Sequence, residues 1–315
     1  MQANIKRPNQ CKYVIMTAAH NEEQHIEKTL QSIVSQTVLP ECWVIISDNS
    51  TDRTDQIIED YAQRYSFIRF LRVERPQGRS FRSKVLALHH GSKLLENAEY
   101  DYIGNVDADL SLDPDYFDKL IAKLEQNARL GIAGGFVHEE FHGKFASRRI
   151  NSVRNVAHAA QLVRRKCYEV IGGYAVLEYG GEDWYAQIRA RMEGWEVRSF
   201  PELHIFHHRH TGEGNRRLAN CIRLGRLDYA FGSDLGFELL KCARRVREQP
   251  YLLGAVVRFG SFFWDSICRK SRPVSKEFMK FLREEQRRRM GFSLRISRSK
   301  TSPSISEHAS ETETA

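Results

Sequence analysis

The first half of the chain alternates short apolar runs with amphipathic segments, and this alternation constrains the fold more than any other feature. The apolar runs have the length of buried strands, and the segments between them carry apolar residues at helical spacing. Successive parallel strands need crossover connections, so this order predicts an α/β fold with a mostly parallel sheet flanked by helices. The predicted strands are residues 13–17, 43–47, 67–73, 102–106 and 132–136.

The pattern changes beyond residue 136, where it becomes mainly helical with two short strands. Glu182 and Asp183 are expected to open a helix, since carboxylates favour a helix N-terminus. Near the start of the chain, Asn21 is predicted to cap the first helix, with Gln24 in the capping-box position. The predicted helices are residues 148–163, 164–171 and 184–192, and the predicted strands are 196–200 and 203–206.

Acidic residues follow several of the predicted strands. Asp107-Ala108-Asp109 comes directly after one strand, and Asp48 and Asp52 follow another. In an open parallel sheet these loops share one edge, so their side chains are expected to converge on one ligand. Two carboxylates with substrate phosphates suit Mg²⁺ or Mn²⁺. The alternative is that these acids simply cap the helices that follow them.

Six segments resemble, in order, the motifs of family 2 glycosyltransferases of the GT-A fold. Any one of them is a weak signal, but six in the right order are specific, and together they span about residues 12–210. The resemblance implies a GT-A, Rossmann-like sheet and an inverting, single-displacement transfer from a nucleotide sugar. The segments are residues 14–23, 48–52 (DNSTD), 78–91 with Lys84, 107–109 (DAD), 180–184 (GGEDW) and 207–209 (HHR).

The resemblance also implies a divalent cation, Mn²⁺ or Mg²⁺, as the cofactor. It would be held mainly by Asp109 with Asp107 nearby, and would neutralise the charge that develops on the leaving diphosphate. His207 or His208 would add a metal ligand; the alternative is a strand end without a ligand role. The residues expected to bind the nucleotide sugar are Ala18, Asn21, Glu22, Asp48, Lys84, Asp107 and Ala108, with Asp48 on the nucleobase.

The catalytic base is expected at Asp183, the second residue of the Glu182-Asp183 pair. An acceptor hydroxyl needs such a base near the anomeric carbon. Glu182 is expected to contact hydroxyls of the sugar or the acceptor. The alternative, that both acids only start the next helix, is compatible with catalysis. The donor sugar itself is expected to be selected around Gly134-Gly135, Glu139 and Glu182.

The chain departs from the family pattern in two places, and one of them limits the kind of transfer that is expected. Asn49 replaces the second acid of the common Asp-Asp pair, and no Gln-x-x-Arg-Trp follows the Glu-Asp motif. The second absence argues against a processive polymerase and favours transfer of one sugar, with UDP the commonest nucleotide in the family. A nucleotidyltransferase is an alternative, although no glycine-rich phosphate loop is present. A catalytically silent GT-A scaffold is another, against which the retained acids argue.

The C-terminal third is basic and contains one strongly apolar stretch. Residues 215–290 hold 18 lysines and arginines against 8 aspartates and glutamates, whereas the net charge of the whole 315-residue chain is +8. The apolar stretch, residues 251–268, is interrupted by Arg258 and Asp265 and flanked by arginines and lysines. These features favour a helix lying in a membrane interface. A helix packed on the catalytic domain and a dimer interface are the alternatives.

The predicted organisation is a GT-A domain over residues 12–212, a basic helical extension over 213–291 and a disordered tail over 292–315. The expected partners are a nucleotide sugar, a glycan or polyprenyl-linked acceptor and a membrane surface, in bacterial exopolysaccharide assembly. No nucleic-acid-binding signature is present. Six scattered cysteines and no signal-peptide pattern favour a cytoplasmic chain, peripheral on the inner face of the cell membrane.

Overall fold

The computed structural model describes residues 11–74, 81–141, 143–209, 217–247 and 250–300, without the side chains of Phe81 and residues 292–300. The chain divides into two compact units, Met1–Arg223 and Leu224–Ala315. The boundary predicted between residues 212 and 213 falls earlier, inside a segment outside the described residues. The first unit carries the sheet, and helices make up the second.

The described strands are β1 (Tyr13–Ala19), β2 (Cys42–Asp48), β3 (Ile68–Val73), β4 (Tyr102–Val106), β5 (Leu110–Leu112), β6 (Leu130–Phe141), β7 (Lys144–Ser147), β8 (Ala160–Arg164) and β9 (Glu196–His207). The described helices are α1 (Ile26–Val34), α2 (Thr54–Arg64), α3 (Phe81–Lys93), α4 (Tyr116–Gln126), α5 (Arg165–Ile171), α6 (Glu182–Met192), α7 (Arg217–Ala230), α8 (Leu235–Arg244), α9 (Tyr251–Ile267) and α10 (Lys276–Lys300).

One twisted sheet runs in the order β3-β2-β1-β4-β8-β6-β9-β5, with β7 paired to β6. The four strands β3, β2, β1 and β4 are parallel, as the alternation of strands and helices predicts. Strand β8 is antiparallel to both of its neighbours, β4 and β6, whereas β6 and β9 are parallel. The expected α/β architecture with a mostly parallel sheet is therefore confirmed, with antiparallel strands added in its second half.

The sheet is buried on both faces because successive side chains of a strand point to opposite sides. In β1, Tyr13 and Ile15 pack with residues of α1, α2 and α4 on one face. Val14 and Met16 pack with residues of α3, α5 and α6 on the other. These strands therefore read as continuous apolar runs, which is typical of parallel strands covered by helices on both sides. The carboxyl ends of β1, β2 and β4 open at one common edge.

The prediction of a helix over residues 148–163 is wrong. Residues 160–164 form β8, inserted between β4 and β6, and the preceding residues are irregular except for one isolated bridge between Ser152 and Asn155. A short apolar run that is buried on both faces has no helical or strand period of its own, so the pattern alone did not separate the two. The shorter helix that follows is confirmed as α5, and Gly172 ends it in the left-handed conformation, at φ 76°.

Two smaller predictions also need correction. Asn21 does not cap a helix: α1 begins at Ile26, and the Asn21 side chain instead accepts the backbone N–H of Thr51 at 2.8 Å. The two short strands expected over 196–200 and 203–206 are one strand, β9, whose register against β6 shifts at Gly135. A Cβ at Gly135 would stand 2.3 Å from a backbone carbonyl oxygen, so only glycine permits this approach.

The second unit is helical, as expected for the C-terminal extension. Helix α8 begins at an Asp234 cap, whose carboxylate accepts the N–H groups of Gly236 and Phe237. Helix α10 continues to Lys300, past the predicted start of the tail at residue 292, because neither proline nor glycine interrupts residues 292–300. The rest of the predicted tail lies outside the described residues. Among the helices that the structure describes, none combines the length and the apolar character needed to cross a membrane.

Candidate functional site

Strand pairing brings a histidine to the two predicted metal-binding aspartates. Asp107 and Asp109 follow β4, and His207 ends β9, whose antiparallel register sets it opposite Leu110. One ligand atom from each of these three side chains lies within 4.8 Å of the others. Asp109 and His207 are buried, and Asp107 is partly exposed. Two carboxylates and an imidazole are suitable ligands for Mn²⁺ or Mg²⁺ with substrate oxygens.

The hydrogen bond of His207 fixes which of its ring nitrogens faces the acids. Its Nδ1–H donates to the carbonyl oxygen of Arg209 at 2.6 Å. In the neutral ring, Nε2 then carries a lone pair, and it lies 3.3 Å from Oδ1 of Asp109. Histidines that bind metals commonly donate their other N–H to a carbonyl group in this way. The facing lone pairs of His207 and Asp109 therefore fit a cation between them.

The neighbouring cations hold the acids in place. Lys84 Nζ lies 2.5 Å from Oδ1 of Asp107. Burial alone would lower the pKa of Lys84, but the charges of Asp107, Glu182 and Asp183 outweigh burial and raise it. Lys84 therefore pairs directly with Asp107 after β4 and also interacts electrostatically with the two acids at the start of α6. Arg209 has a similar role on the other side, because it forms an ion pair with Glu22 and its Nε lies 3.6 Å from Asp109.

The expected nucleoside-binding residues lie at the ends of the adjoining parallel strands β1 and β2. Asp48 is buried at the end of β2, and His20 Nδ1–H donates to its carbonyl oxygen at 2.5 Å. The loop after β1 is tied to the loop after β2 through Asn21, and Glu22 N–H donates to Thr54 Oγ1 at 2.7 Å. Ala18, partly buried, precedes them in β1. Part of the predicted glycine- and lysine-containing segment, residues 78–80, lies outside the described residues.

Asp52 binds the start of the following helix, which is the alternative role that the sequence left open for the acidic residues. One of its carboxylate oxygens accepts the N–H of Thr54 at 3.0 Å, and the other accepts the N–H of Glu23 at 3.2 Å. These hydrogen bonds, which outweigh burial, lower the pKa of Asp52. Its carboxylate is occupied by the start of α2, so Asp52 is a structural residue of the loop.

The two acids at the start of α6 have opposite pKa shifts. Burial would raise the pKa of Glu182, but His158 and Lys84 outweigh burial and lower it to about 2. Burial and the charge of Glu182 raise the pKa of Asp183. Neighbouring carboxyl groups whose pKa values are pushed apart are typical of acid–base sites, and a raised pKa makes Asp183 the better base. Gly180 and Gly181, both at positive φ, lead into this pair.

His158 is a site residue that the sequence analysis missed. It is 7% exposed, its Nδ1 lies 3.5 Å from Oε1 of Glu182, and its ring packs against Tyr174 with centroids 4.5 Å apart. Neither ring nitrogen has a hydrogen-bond partner within the part of the chain that the structure describes. No sequence signal marks this residue, and the mistaken helix over 148–163 assigned it to the wrong element.

His208 does not join the acid pair, unlike His207. Its Nε2 is 3.0 Å from Ser111 Oγ and its Nδ1 is 3.5 Å from Glu140, on the opposite face of the strand end. Glu139, expected near the donor sugar, is in an ion pair with Arg148 at 2.6 Å. Among the predicted metal ligands, the structure therefore brings together Asp107, Asp109 and His207.

Comparison with known proteins identifies the family. The glycosyl transferase family 2 model matches residues 14–179, more than half of the chain. A poly-beta-1,6-N-acetyl-D-glucosamine synthase of Staphylococcus epidermidis is 32% identical over 120 residues, which are 38% of this chain. The match spans only 27% of that relative's length.

Two solved glycosyltransferases share the fold. The mannosyltransferase PcManGT from Pyrobaculum calidifontis, in complex with GDP-Man and Mn²⁺, aligns with a TM-score of 0.52 at 15% identity, over 93% of this chain and 85% of that one. Staphylococcus aureus TarS 1-349, in complex with UDP-GlcNAc, aligns with a TM-score of 0.51 at 14% identity, over 86% and 78%. Identities this low show the fold alone, and they confirm the predicted GT-A architecture. With the family match over more than half of its length, the chain belongs to the family 2 glycosyltransferases.

Proposed function

We propose that this protein is a metal-dependent, inverting glycosyltransferase that moves one sugar from a UDP-sugar to a hydroxyl group of a glycan or lipid-linked acceptor. The observation that carries the proposal is the group formed by Asp107, Asp109 and His207, whose ligand atoms lie within 4.8 Å of one another, at the carboxyl ends of the parallel strands. Lys84 links the residues that suit a metal-bound diphosphate to those that suit acceptor activation, because it pairs with Asp107 at 2.5 Å and the charges of Glu182 and Asp183 also raise its pKa. The GDP-Man, UDP-GlcNAc and Mn²⁺ in the two solved neighbours support a nucleotide-sugar donor.

The position of each residue indicates which part of the donor it binds. A divalent cation held by Asp107, Asp109 and His207 would supply a Lewis acid that neutralises the oxygens of the diphosphate. Lys84 adds a fixed positive charge on the side of α6. The ends of β1 and β2, with Asp48, bind the nucleoside.

Activation of the acceptor depends on the two acids at the start of α6, Glu182 and Asp183. Asp183 takes the proton of the attacking hydroxyl, and its raised pKa favours that step. Glu182 stays ionised and accepts hydrogen bonds from sugar hydroxyls. Because the base acts on the face opposite the leaving diphosphate, one displacement inverts the anomeric carbon.

A thermal-shift panel tests the donor site. UDP, GDP, dTDP and CMP are each added with Mn²⁺, Mg²⁺ or EDTA, and selective binding raises the unfolding temperature by mass action. We expect UDP with Mn²⁺ or Mg²⁺ to give the largest shift and EDTA to abolish it. Asp109→Asn is the matched variant, because it removes the charge and keeps the shape. No shift with any nucleotide from folded protein would contradict the proposal and favour a silent scaffold.

The acceptor is proposed to belong to exopolysaccharide assembly. The Staphylococcus relative is named as a poly-beta-1,6-N-acetyl-D-glucosamine synthase, and its matched part supports the same class of substrate. A polyprenyl-linked oligosaccharide is the acceptor that fits this setting together with a membrane-facing surface. The protein would then work in the cytoplasm, at the inner face of the cell membrane.

Helix α9 supports contact with a membrane, because its charged residues face the protein and its apolar residues face outward. Its two charged residues point inward: Arg258 is 6% exposed and Asp265 is 1% exposed. Its outward face is apolar, with side chains between 49% and 61% exposed, which are Leu252, Leu253, Val256, Phe263, Trp264 and Ile267. A helix in contact with water has the opposite arrangement, whereas lipid-facing helices turn their charges to the protein interior.

Sedimentation with vesicles tests this contact. We expect binding to anionic vesicles that weakens with salt, since arginines and lysines flank α9 on both sides. Replacing Phe263, Trp264 and Ile267 by serine should abolish it. Ile150→Ser with Val170→Ser is the control, because it removes exposed apolar side chains from the first unit. Equal binding by both variants would contradict a membrane role for α9.

A further inference from the structure

A cavity of about 300 Å³ opens in the second unit, beside the apolar face of α9. Its apolar wall includes Leu235 and Phe263, each 49% exposed, with Phe262 behind them. Its polar wall includes two arginines, Arg272 and Arg283. Phe263 belongs both to the cavity and to the exposed face of α9, so the two surfaces are continuous.

The two arginines are anchored by hydrogen bonds from Nε to backbone carbonyl oxygens, and Nη1 of Arg272 also lies 3.6 Å from Sδ of Met279. Arg272 Nε–H donates to the carbonyl oxygen of Tyr229 at 3.1 Å, and its guanidinium lies 4.4 Å from the centre of that ring. Arg283 Nε–H donates to the carbonyl oxygen of Gly232 at 2.8 Å. Neither arginine has a carboxylate partner among the residues that the structure describes. Both positive charges are therefore held in place but not neutralised.

The one acid in the lining of the cavity, Asp234, is already neutralised. One of its oxygens accepts two N–H groups at the start of α8, and the other lies 3.1 Å from Arg287. Ser233 Oγ, also in the lining, donates to Asp228 and accepts from Gln286. The charge that the cavity presents to a ligand is thus that of its two arginines.

We propose that this cavity binds the terminal phosphate of a lipid whose chains lie against the apolar face of α9. Guanidinium groups bind phosphate oxygens through paired, charge-assisted hydrogen bonds. Two of them match a phosphomonoester, which carries up to two negative charges near neutral pH, better than a phosphodiester, which carries one. The phenylalanines supply the apolar contact that a soluble phosphate does not need, so the lipid is the occupant that the cavity fits.

The proposal rests on the membrane contact proposed above and predicts a preference that simple charge attraction does not give. Vesicles of phosphatidylcholine are mixed with phosphatidic acid or with phosphatidylglycerol, adjusted to the same surface potential. We expect the protein to bind the phosphatidic acid vesicles about tenfold more tightly or better. Arg272→Gln with Arg283→Gln should reduce this ratio to about one.

Two sets of variants separate the cavity from general electrostatics and from misfolding. Lys276→Gln with Arg288→Gln removes the same charge from α10 without replacing either arginine of the cavity, and should weaken both vesicle types while keeping the ratio. Ser266→Glu adds a negative charge at the lining and should abolish the ratio, whereas Ser266→Gln should keep it.

The outcomes distinguish the two proposals. Equal binding of both vesicle types by the wild-type protein would overturn the phosphate cavity and leave the membrane contact standing. A ratio that survives in the double arginine variant or in Ser266→Glu would also overturn the cavity. Absence of binding to any vesicle would overturn the cavity and the membrane contact together, and would not affect the proposed glycosyl transfer.

Discussion

Replacing His158 by phenylalanine tests whether this histidine fixes the charge state of the site. The ring would still pack against Tyr174, but the nitrogen that lies 3.5 Å from Glu182 would be lost. Glu182 would then be a buried carboxylate with weaker compensation, since Lys84 alone would oppose the cost of burial among its main partners. We expect the folded protein to lose stability through Glu182.

The size of the loss follows from the pKa of Glu182. Its decrease from 4.5 to about 2 corresponds to ~3 kcal/mol of stabilisation of the folded state at neutral pH, at ~1.4 kcal/mol per unit. His158 makes the largest of the favourable contributions, ahead of Lys84. Its replacement should therefore lower the free energy of unfolding by ~2 kcal/mol, within the range for leaving a buried polar group without its partner.

Urea titrations of the wild type, His158→Phe, Glu182→Gln and the double variant measure this interaction as a coupling free energy. A depressed carboxylate pKa stabilises the fold above the unfolded pKa of 4.5, and this stabilisation is lost as the pH falls towards 2. The coupling should therefore shrink as the pH falls below about 5, where Glu182 becomes protonated in the unfolded chain. A coupling under about 0.5 kcal/mol, or one that does not change with pH, would refute the reasoning.

Three further predictions concern the candidate site and the sheet. Asp183→Asn should lower transfer by about 10²–10⁴-fold in a single-turnover assay while calorimetry shows unchanged nucleotide binding, and the acid limb of the wild-type pH–rate profile should lie above 3.8. Asp109→Asn and His207→Ala should each raise the Mn²⁺ concentration needed for half-maximal nucleotide binding; an unchanged requirement would remove them from the metal site. Gly135→Ala should cost about 1–3 kcal/mol in urea unfolding because its Cβ would meet a backbone carbonyl, whereas Gly260→Ala, in open space on a helix, should stabilise by about 0.5–1 kcal/mol.

The elements that are predicted best from the sequence are those whose burial follows from the local order of apolar and polar residues. Strands β1, β2 and β4 are continuous apolar runs between amphipathic helices, so their type and order follow from periodicity. For β8 the sequence pattern predicts a helix, because its short apolar run has no clear period. Only its pairing with β4 and β6 makes it a strand. The same error places His158, which precedes that strand, in a helix, so its position in the site is not predicted.

The choice between His207 and His208 shows why a site is harder to predict than a fold. Successive side chains of a strand point to opposite faces, so one residue decides whether an imidazole meets the acids or turns away from them. The pairing of Leu110 with His207 places His207 beside the acids, and this pairing joins residues that are far apart in the sequence. Motif order therefore located the strand end, while tertiary register selected the ligand.

The inverted polarity of α9 has a thermodynamic consequence that connects the second unit to its proposed surface. Six apolar side chains that remain about half exposed leave ~5–10 kcal/mol of burial unrealised, taking 1.5–3 kcal/mol for each side chain fully buried. Turning the helix to bury them would expose Arg258 and remove it from Asp228 and Glu238, which would then share Lys241 as their cation. Removing one partner from such a buried network costs up to about 3–5 kcal/mol, because two buried carboxylates would share a single positive charge. The network thus opposes rotation of α9, and on the proposed membrane contact a lipid surface would supply the stabilisation that the apolar face lacks.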